Sequence, residues 1–355
     1  MTAVHVVVPE GIDDATRPSG GNAYDREVCR GLSSLGWSVH EHAVAGCWPD
    51  PDAASLAALA GVVQGIPDGA MVLIDGLVAS TAPEVLVPQS GRVRLVALVH
   101  MPLGHGASDD GDGDARTRER AVLLAAAAVV ATSAWTRRRL LELYPLRGDR
   151  VHVARPGVAA AGLAGGTESG GALLCVAAVT FDKGHDVLLD ALATTTDLSW
   201  HLACVGSLNR DAAFVERLRR RSLDGGLRDR VRFAGPLTGA DLDRTYAAAD
   251  LLVLASRAET YGMVVTEALA RGLPVVAADV GGLAEALGHG AGGIRPGLLV
   301  APDDPAAFGA ALRAWLGDAE LRKRLRRAAR ERRESLSRWS TTTSLLARVL
   351  IGASR

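Results

Sequence analysis

The feature that most constrains this chain is a repeat of short apolar runs separated by amphipathic stretches. The runs are Val4–Val8, Val39–Ala43, Met71–Ile74, Val93–Val99, Val129–Thr132 and Val151–Val153. Helix-like segments such as Ala23–Leu35 and Ala134–Leu143 lie between them. Most of the runs are nearly continuous in Val, Ile, Leu and Ala, as strands buried on both faces must be, and this predicts a parallel α/β sheet. The rhythm breaks once. Arg155–Gly171 (RPGVAAAGLAGGTESGG) has the Gly, Ala and Ser content of a linker. A second series follows, with runs at Leu173–Val179, His201–Val205, Val231–Ala234, Leu251–Leu254, Val275–Ala278 and Leu298–Val300. Two Rossmann-like domains joined near residue 160 are expected. The tail, Pro305 to Leu350, reads as two or three helices with no strand.

Composition excludes several classes. A chain of 355 residues with 48% hydrophobic and 22% charged residues folds as a globular protein and can bury two cores. A net charge of −1 argues against nucleic-acid binding through an overall field. No basic leader precedes Val4–Val8, and the longest apolar run, Ala121–Ala131, is too short to span a bilayer. Membrane association is therefore not expected. Cys29, Cys47, Cys175 and Cys204 show no metal-ligand spacing, and a reducing cytoplasm is expected. Of 39 basic residues only Lys183 and Lys323 are lysines. High GC content explains that skew most simply, and it makes a retained lysine informative.

Three leads carry little. The acidic run Asp109–Asp114 resembles a calcium loop, but counted from Asp110 its sixth position is Ala115 and its twelfth Ala121, where the loop needs Gly and Glu. No GxGxxG follows the first strand, which removes the main support for a dinucleotide oxidoreductase. The basic stretch Leu321–Arg338 could meet anionic lipid or nucleic acid, yet its Leu and Ala residues fall at helical spacing and Glu331 and Glu334 interrupt the charge. A solvated helix face is the preferred reading.

The segment that carries chemistry is Ala255–Glu285 (ASRAETYGMVVTEALARGLPVVAADVGGLAE). A strand ends near Leu254, a polar loop carries Glu259 and Gly262, and a helix runs through Glu267 to Arg271, stopped by Gly272 and Pro274. In a doubly wound fold this is the carboxyl end of a strand, where ligands bind. The helix start offers unpaired N–H groups to an anion, and a carboxylate beside it can accept hydrogen bonds from a ribose diol. Either glutamate alone would be an ordinary surface residue; the whole string is harder to explain that way.

Glu259, seven intervening residues and Glu267, with these flanks, resemble the signature of retaining glycosyltransferases of family 4. That family has the GT-B fold: two Rossmann-like domains facing a central cleft. Nearly the whole chain fits. Ser19-Gly20-Gly21-Asn22 stands where the family has its glycine-rich loop, and His100 ends a strand where the family places a histidine facing the donor sugar. Lys183-Gly184 matches a Lys-Gly that meets the donor diphosphate. The last helix, 336–355, with Trp339, resembles the segment that crosses back to the N-terminal domain. The resemblance divides the chain into an acceptor domain, 1–160 plus 336–355, and a donor domain, 161–335.

The resemblance implies catalytic roles for His100, Lys183 and Glu259. Lys183 would neutralise the diphosphate, Glu259 contact sugar hydroxyls and His100 bind the sugar or position the reacting centre. Gly20, Gly21 and Asn22 would approach the distal phosphate, Glu267 hold the ribose, and Tyr261, Gly262 and Met263 supply backbone contacts. The residues alone also allow Gly20-Gly21 to be a plain turn and His100 a structural histidine. One departure stands out: the family's Gly-Arg ahead of the Lys-Gly reads Ala177-Ala178 here. Arg210 and Arg257 are the candidates for the missing cation.

The implied reaction moves a sugar from a UDP- or GDP-sugar to an acceptor hydroxyl with retention, without metal or other cofactor. The low aromatic content, 4%, favours a small soluble acceptor such as a sugar, cyclitol or natural-product aglycone. A nucleotide-sugar epimerase, a phosphorylase and a non-catalytic nucleotide-sugar-binding homologue are the alternatives on the same fold.

Overall fold

The computed structural model describes residues 2–105 and 113–354. Residues 109–112 of the acidic run fall outside this range, and Gly113 opens the helix Gly113–Ala125. The chain divides into two compact units. One comprises Met1–Asp13, Gly20–Gly157 and Ser337–Arg355; the other comprises Asp14–Ser19 and Val158–Leu336.

The N-terminal unit is built on six strands: β1 (Ala3–Pro9), β2 (Ser38–Val44), β3 (Met71–Asp75), β4 (Arg94–Val99), β5 (Ala128–Ala131) and β6 (Val151–Val153). They pair in parallel in the order β2-β1-β3-β4-β5-β6. All of β3 and β5 is buried, which is why these segments are apolar throughout rather than alternating. Val7, Val72, Ile74, Leu59 and Val63 anchor a core on the face covered by helix Ala53–Gly65. Helix Trp339–Ala353 packs on helix Gly20–Ser34. A Cβ at Gly31 would run into the Thr343 side chain, so only glycine allows that approach. Thr342 Oγ1 donates to Arg155 O at 2.7 Å, and Trp339 meets Tyr24 edge-on at 5.5 Å.

The second unit repeats the plan with β7 (Ala172–Val176), β8 (His201–Val205), β9 (Val231–Gly235), β10 (Leu251–Leu254), β11 (Val275–Ala278) and β12 (Gly297–Val300). The parallel order is β12-β11-β10-β7-β8-β9. Strand β7 is shorter than its apolar run. Ala177 and Val179 leave the sheet as a loop whose amides bond Val205 O and Ser207 O, each at 2.9 Å. Trp315, Phe308 and Tyr246 are the large side chains of this core.

Helices Pro305–Gly317, Ala319–Arg333 and Trp339–Ala353 make up the tail. The basic helix Ala319–Arg333 buries Leu321, Leu325, Ala328 and Ala329. Its charges are partly spent within the fold. Arg326 reaches the buried Asp250 at 2.7 Å, which also accepts from the Thr167 and Ala172 amides. Lys323 is exposed and pairs with Glu320 at 2.7 Å. All four cysteines are free thiols, three of them buried. Among the described residues no helix is long and apolar enough to cross a membrane.

Strand order sets where ligands can bind. In each sheet the order reverses once, between β1 and β3 in the first and between β7 and β10 in the second. The loops leaving such neighbours part to opposite faces and open a crevice at the strand carboxyl ends.

Candidate functional site

At the β7/β10 switch the chain brings Lys183 onto Glu259. After β7, a 3-10 turn at Phe181–Lys183 ends in Gly184, whose φ of +64° lets the backbone reverse into helix His185–Ala193. A Cβ on Gly184 would lie well inside contact with Ala255 O, so the turn needs glycine for both conformation and space. After β10, the loop carrying Ser256 and Glu259 ends in Gly262, with φ +87°, and helix Met263–Ala270 begins. Lys183 Nζ donates to Glu259 Oε1 at 2.8 Å, and Ser256 Oγ donates to the same oxygen at 3.3 Å. Burial pulls the Lys183 pKa down, but Glu259 and then Asp182 outweigh it and leave the ammonium above the ordinary lysine value.

Glu267 sits in the second turn of helix Met263–Ala270, half-buried, with Oε2 accepting from Tyr246 Oη at 2.9 Å. Burial raises its pKa; the Tyr246 hydrogen bond and Arg271 pull the other way. Tyr261 is buried, and a Cβ at Gly262 would overlap Leu283. The glutamate loop is held from above by two glycines in the loop after β11. Gly282 N donates to Glu259 O at 3.0 Å, and Cβ atoms at Gly281 and Gly282 would overlap the Glu259 and Thr260 carbonyls.

The two candidate replacement cations fare differently. Arg257 is engaged by the protein itself: it forms a two-pronged pair with Asp186 at 2.9 Å, reaches Asp303 at 2.7 Å and Phe181 O at 2.6 Å, and covers the Phe181 ring at 3.9 Å. Its backbone amide also bonds Asp182 O at 2.7 Å. Arg257 thus ties the β10 loop to the β7 loop. Arg210 follows β8, is exposed, and donates to Arg17 O at 3.4 Å. Ala177 and Ala178 are packed by Gly206, where any Cβ would overlap the Ala177 carbonyl.

In the N-terminal unit, His100 follows β4 and lies in a buried triad. Its Nε2 is 2.9 Å from Asp25 Oδ1 and 3.3 Å from Asp75 Oδ2. Asp75 ends β3 and uses its other oxygen to accept from Leu77 N at 2.7 Å. Asp25 lies on helix Gly20–Ser34, 3% exposed. Burial alone would lower the His100 pKa, but the two carboxylates push it up to about 10. Burial pushes Asp25 up to about 7, with Asp75 adding to it and His100 opposing. Both carboxyls therefore favour the protonated form of the imidazole. These three residues bring ligand-type atoms within 4.8 Å of one another, the one such trio among the described residues. A proton held on the imidazole offsets the negative charge of the two buried acids.

Gly20 and Gly21 form the first turn of helix Gly20–Ser34, followed by half-buried Asn22. A Cβ on Gly21 would stand 3.3 Å from His100 Cδ2, so this glycine makes room for the imidazole ring. Glu119 is a further buried carboxylate: it accepts from Ser80 at 2.9 Å, from the Leu103 and Gly104 amides at 3.1 Å, and from Tyr144, fixing the turn beyond His100. Sequence reasoning missed Asp25, Asp75, Glu119 and Tyr246. Each meets its partner through strand order or long-range packing, and no local spacing marks it.

Residues 167–332 match the family model "Glycosyl transferases group 1". A D-inositol 3-phosphate glycosyltransferase of Jonesia denitrificans is 32% identical over 249 residues, 64% of this chain and 58% of that protein. The mannosylfructose-phosphate synthase of Agrobacterium fabrum is 33% identical over 178 residues, 48% of this chain and 38% of that protein. The chain thus spans little more than half the length of the first of these relatives. Among solved structures, sucrose-phosphate synthase from Thermosynechococcus elongatus superposes with a TM-score of 0.81 at 19% identity, over 99% of both chains. Anabaena HepE in complex with UDP and glucose gives 0.74 at 20% identity, over 99% of this chain and 100% of that one. Two six-stranded parallel sheets with flanking helices, matched over nearly their full length by these structures, make the fold GT-B.

Proposed function

We propose that this chain is a glycosyltransferase that moves a sugar from a nucleoside-diphosphate sugar to a hydroxyl of a small acceptor, with retention and without a metal. The observation that carries this reading is the Lys183–Glu259 pair at the β7/β10 switch, with Glu267 one turn into the helix that follows. In the reading, Lys183 turns from Glu259 to the diphosphate and stabilises the charge that grows on the leaving group. Glu267 accepts from the ribose hydroxyls. Glu259 receives sugar hydroxyls, and the helix start at Gly262 and Met263 offers N–H groups. Gly20, Gly21 and Asn22 remain a phosphate-side contact, with Gly21 also seating His100. Arg210 is the better of the two replacement cations, because Arg257 is committed to Asp186 and Asp303.

His100, as an imidazolium, acts as a fixed hydrogen-bond donor and charge toward the sugar, and no side chain is assigned as a covalent nucleophile. Front-face displacement, in which the departing phosphate helps to take the acceptor proton, fits that inventory. The relatives named for inositol phosphate and mannosylfructose phosphate support a phosphorylated cyclitol or sugar as acceptor. Incubation with UDP-, GDP- and ADP-sugars and a panel of such acceptors tests the reading. Acceptor-dependent nucleotide release, with the donor anomer kept in the product and no loss in excess chelator, is expected. Conversion of the donor to an epimer without acceptor would overturn it.

A further inference from the structure

We propose that Tyr246 is a positioning residue for nucleotide binding, holding the Glu267 carboxylate ionised and in one rotamer so that it can receive the ribose diol. The inference rests on the donor reading of Glu267 and extends it to a residue outside the glutamate string. Tyr246 lies near the end of helix Gly239–Ala247 and is fully buried. Its hydroxyl meets Glu267 Oε2 at 2.9 Å. A phenol buried this deeply needs a partner, and a carboxylate is the strongest acceptor a neutral donor can have.

Arg271 closes the arrangement. Its guanidinium covers the Tyr246 ring at 4.5 Å, donates to Glu267 O at 2.8 Å, and pairs with Asp243 on the Tyr246 helix. The ring therefore has a fixed place, and so does the helix backbone that carries Glu267. One carboxylate oxygen is anchored by the phenol, while the other accepts no hydrogen bond among the described residues. Burial works to protonate Glu267, and the Tyr246 hydrogen bond is the first influence opposing it. Without the phenol, a carboxyl that burial pushes toward protonation and that is free to turn would face the ribose. Tyr246 touches no substrate; it acts through Glu267.

The test uses the full chain and isothermal titration with whichever of UDP, GDP or ADP binds the wild type. Tyr246→Phe keeps the ring and its Arg271 contact and removes only the hydroxyl. A hydrogen bond to a charged group contributes about 1.5–3 kcal/mol to free and bound protein alike, so only the part that orients and ionises Glu267 reaches the affinity, and a weakening of roughly three- to ten-fold is expected. The acid limb of the affinity–pH profile should move to higher pH, because Glu267 takes up a proton more readily. In a Glu267→Gln background the same Tyr→Phe change should have little further effect. An affinity within two-fold of wild type with an unmoved acid limb overturns the inference, as does an equal loss in the Gln background. Glu267→Ala separates the two levels: wild-type affinity there overturns the ribose reading itself, whereas a weakened Glu267→Ala beside a neutral Tyr246→Phe overturns only the role of Tyr246. Unfolding temperatures measured in parallel identify a variant that has lost its fold, and Tyr246→His, which restores a donor on a ring, should then recover part of the affinity; no recovery counts against the inference.

Discussion

The Lys183–Glu259 pair yields a stability prediction that can be worked through before any substrate is known. Lys183→Met and Glu259→Gln, alone and together, are the perturbations. At 2.8 Å the gross attraction is on the order of 6 kcal/mol for an effective dielectric of about 20. Desolvation of both charges returns most of it, so the net contribution of the intact pair is small. Removing one partner is different, because the other is left buried and unpaired, at a cost of about 3–5 kcal/mol. The side chains keep 23% and 15% of their exposure, and Ser256 still donates to Glu259, which favours the lower end. Lys183→Met should cost about 3 kcal/mol. Glu259→Gln should cost less, since an amide oxygen still accepts from the ammonium and Lys183 can turn toward Asp182, 3.6 Å away. The double variant should be more stable than the sum predicts, with a coupling of about 2 kcal/mol. Hydrogen exchange of the β7 and β10 amides is the assay, since core strands exchange only on large-scale opening of their unit. A 3 kcal/mol loss appears there as a roughly hundred-fold faster exchange. Coupling below about 0.5 kcal/mol, the range of a solvated surface pair, would refute the reasoning.

Other expectations follow from the same contacts. On the proposed donor reading Lys183→Arg should lower activity at least ten-fold, because a planar guanidinium would not replace a point charge between Glu259 and a diphosphate; wild-type turnover would return the lysine to codon usage. Gly184→Ala should destabilise by at least about 2 kcal/mol by thermal unfolding, from its positive φ and from overlap with Ala255 O. Gly21→Ala should cost about 1 kcal/mol, because the added Cβ would press on a His100 ring that two carboxylates hold, and the ring must shift by a few tenths of an ångström against them; an NMR imidazole signal unchanged from wild type would refute this. The stability of the N-terminal unit should fall with rising pH. Asp25, raised from 3.8 to about 7, contributes stability that is present below pH 4 and lost through pH 7. His100, raised from 6.5 to about 10, contributes stability that is present below pH 6.5 and lost through pH 10. In His100→Gln the alkaline part of that decline should disappear from denaturation curves.

Most strands were legible because a buried parallel strand writes itself as a short apolar run; all twelve segments correspond to strands of the two sheets, although the edge strand β2 is polar and largely unburied. Strand ends were less so. Val93–Val99 and Leu173–Val179 ran past the pairing, since Ala177–Val179 are apolar yet bond as a loop. The glutamate string and Lys183-Gly184 stood out as local patterns. That Lys183 grips Glu259, 76 residues on, depends on β7 lying beside β10, and no local pattern records that neighbour relation. The same holds for Asp25, on the helix after β1, and Asp75, at the end of β3, which meet at one imidazole nitrogen. Arg257 looked like a free cation in the sequence because its acids, Asp186 in the first turn of helix His185–Ala193 and Asp303 in the loop after β12, are distant along the chain.

The placement of helix Trp339–Ala353 has a consequence for how the protein is made. It packs on helix Gly20–Ser34, yet the ribosome delivers it only after the whole of Val158–Leu336. The second unit's sheet and core are therefore complete in sequence while the first still lacks the surface that covers Gly31 and Tyr24. For the tens of seconds that separate these segments at ordinary elongation rates, the earlier-synthesised unit is the unfinished one. Its apolar helix face waits in the nascent chain, exposed to chaperones, until the last helix emerges to seal it.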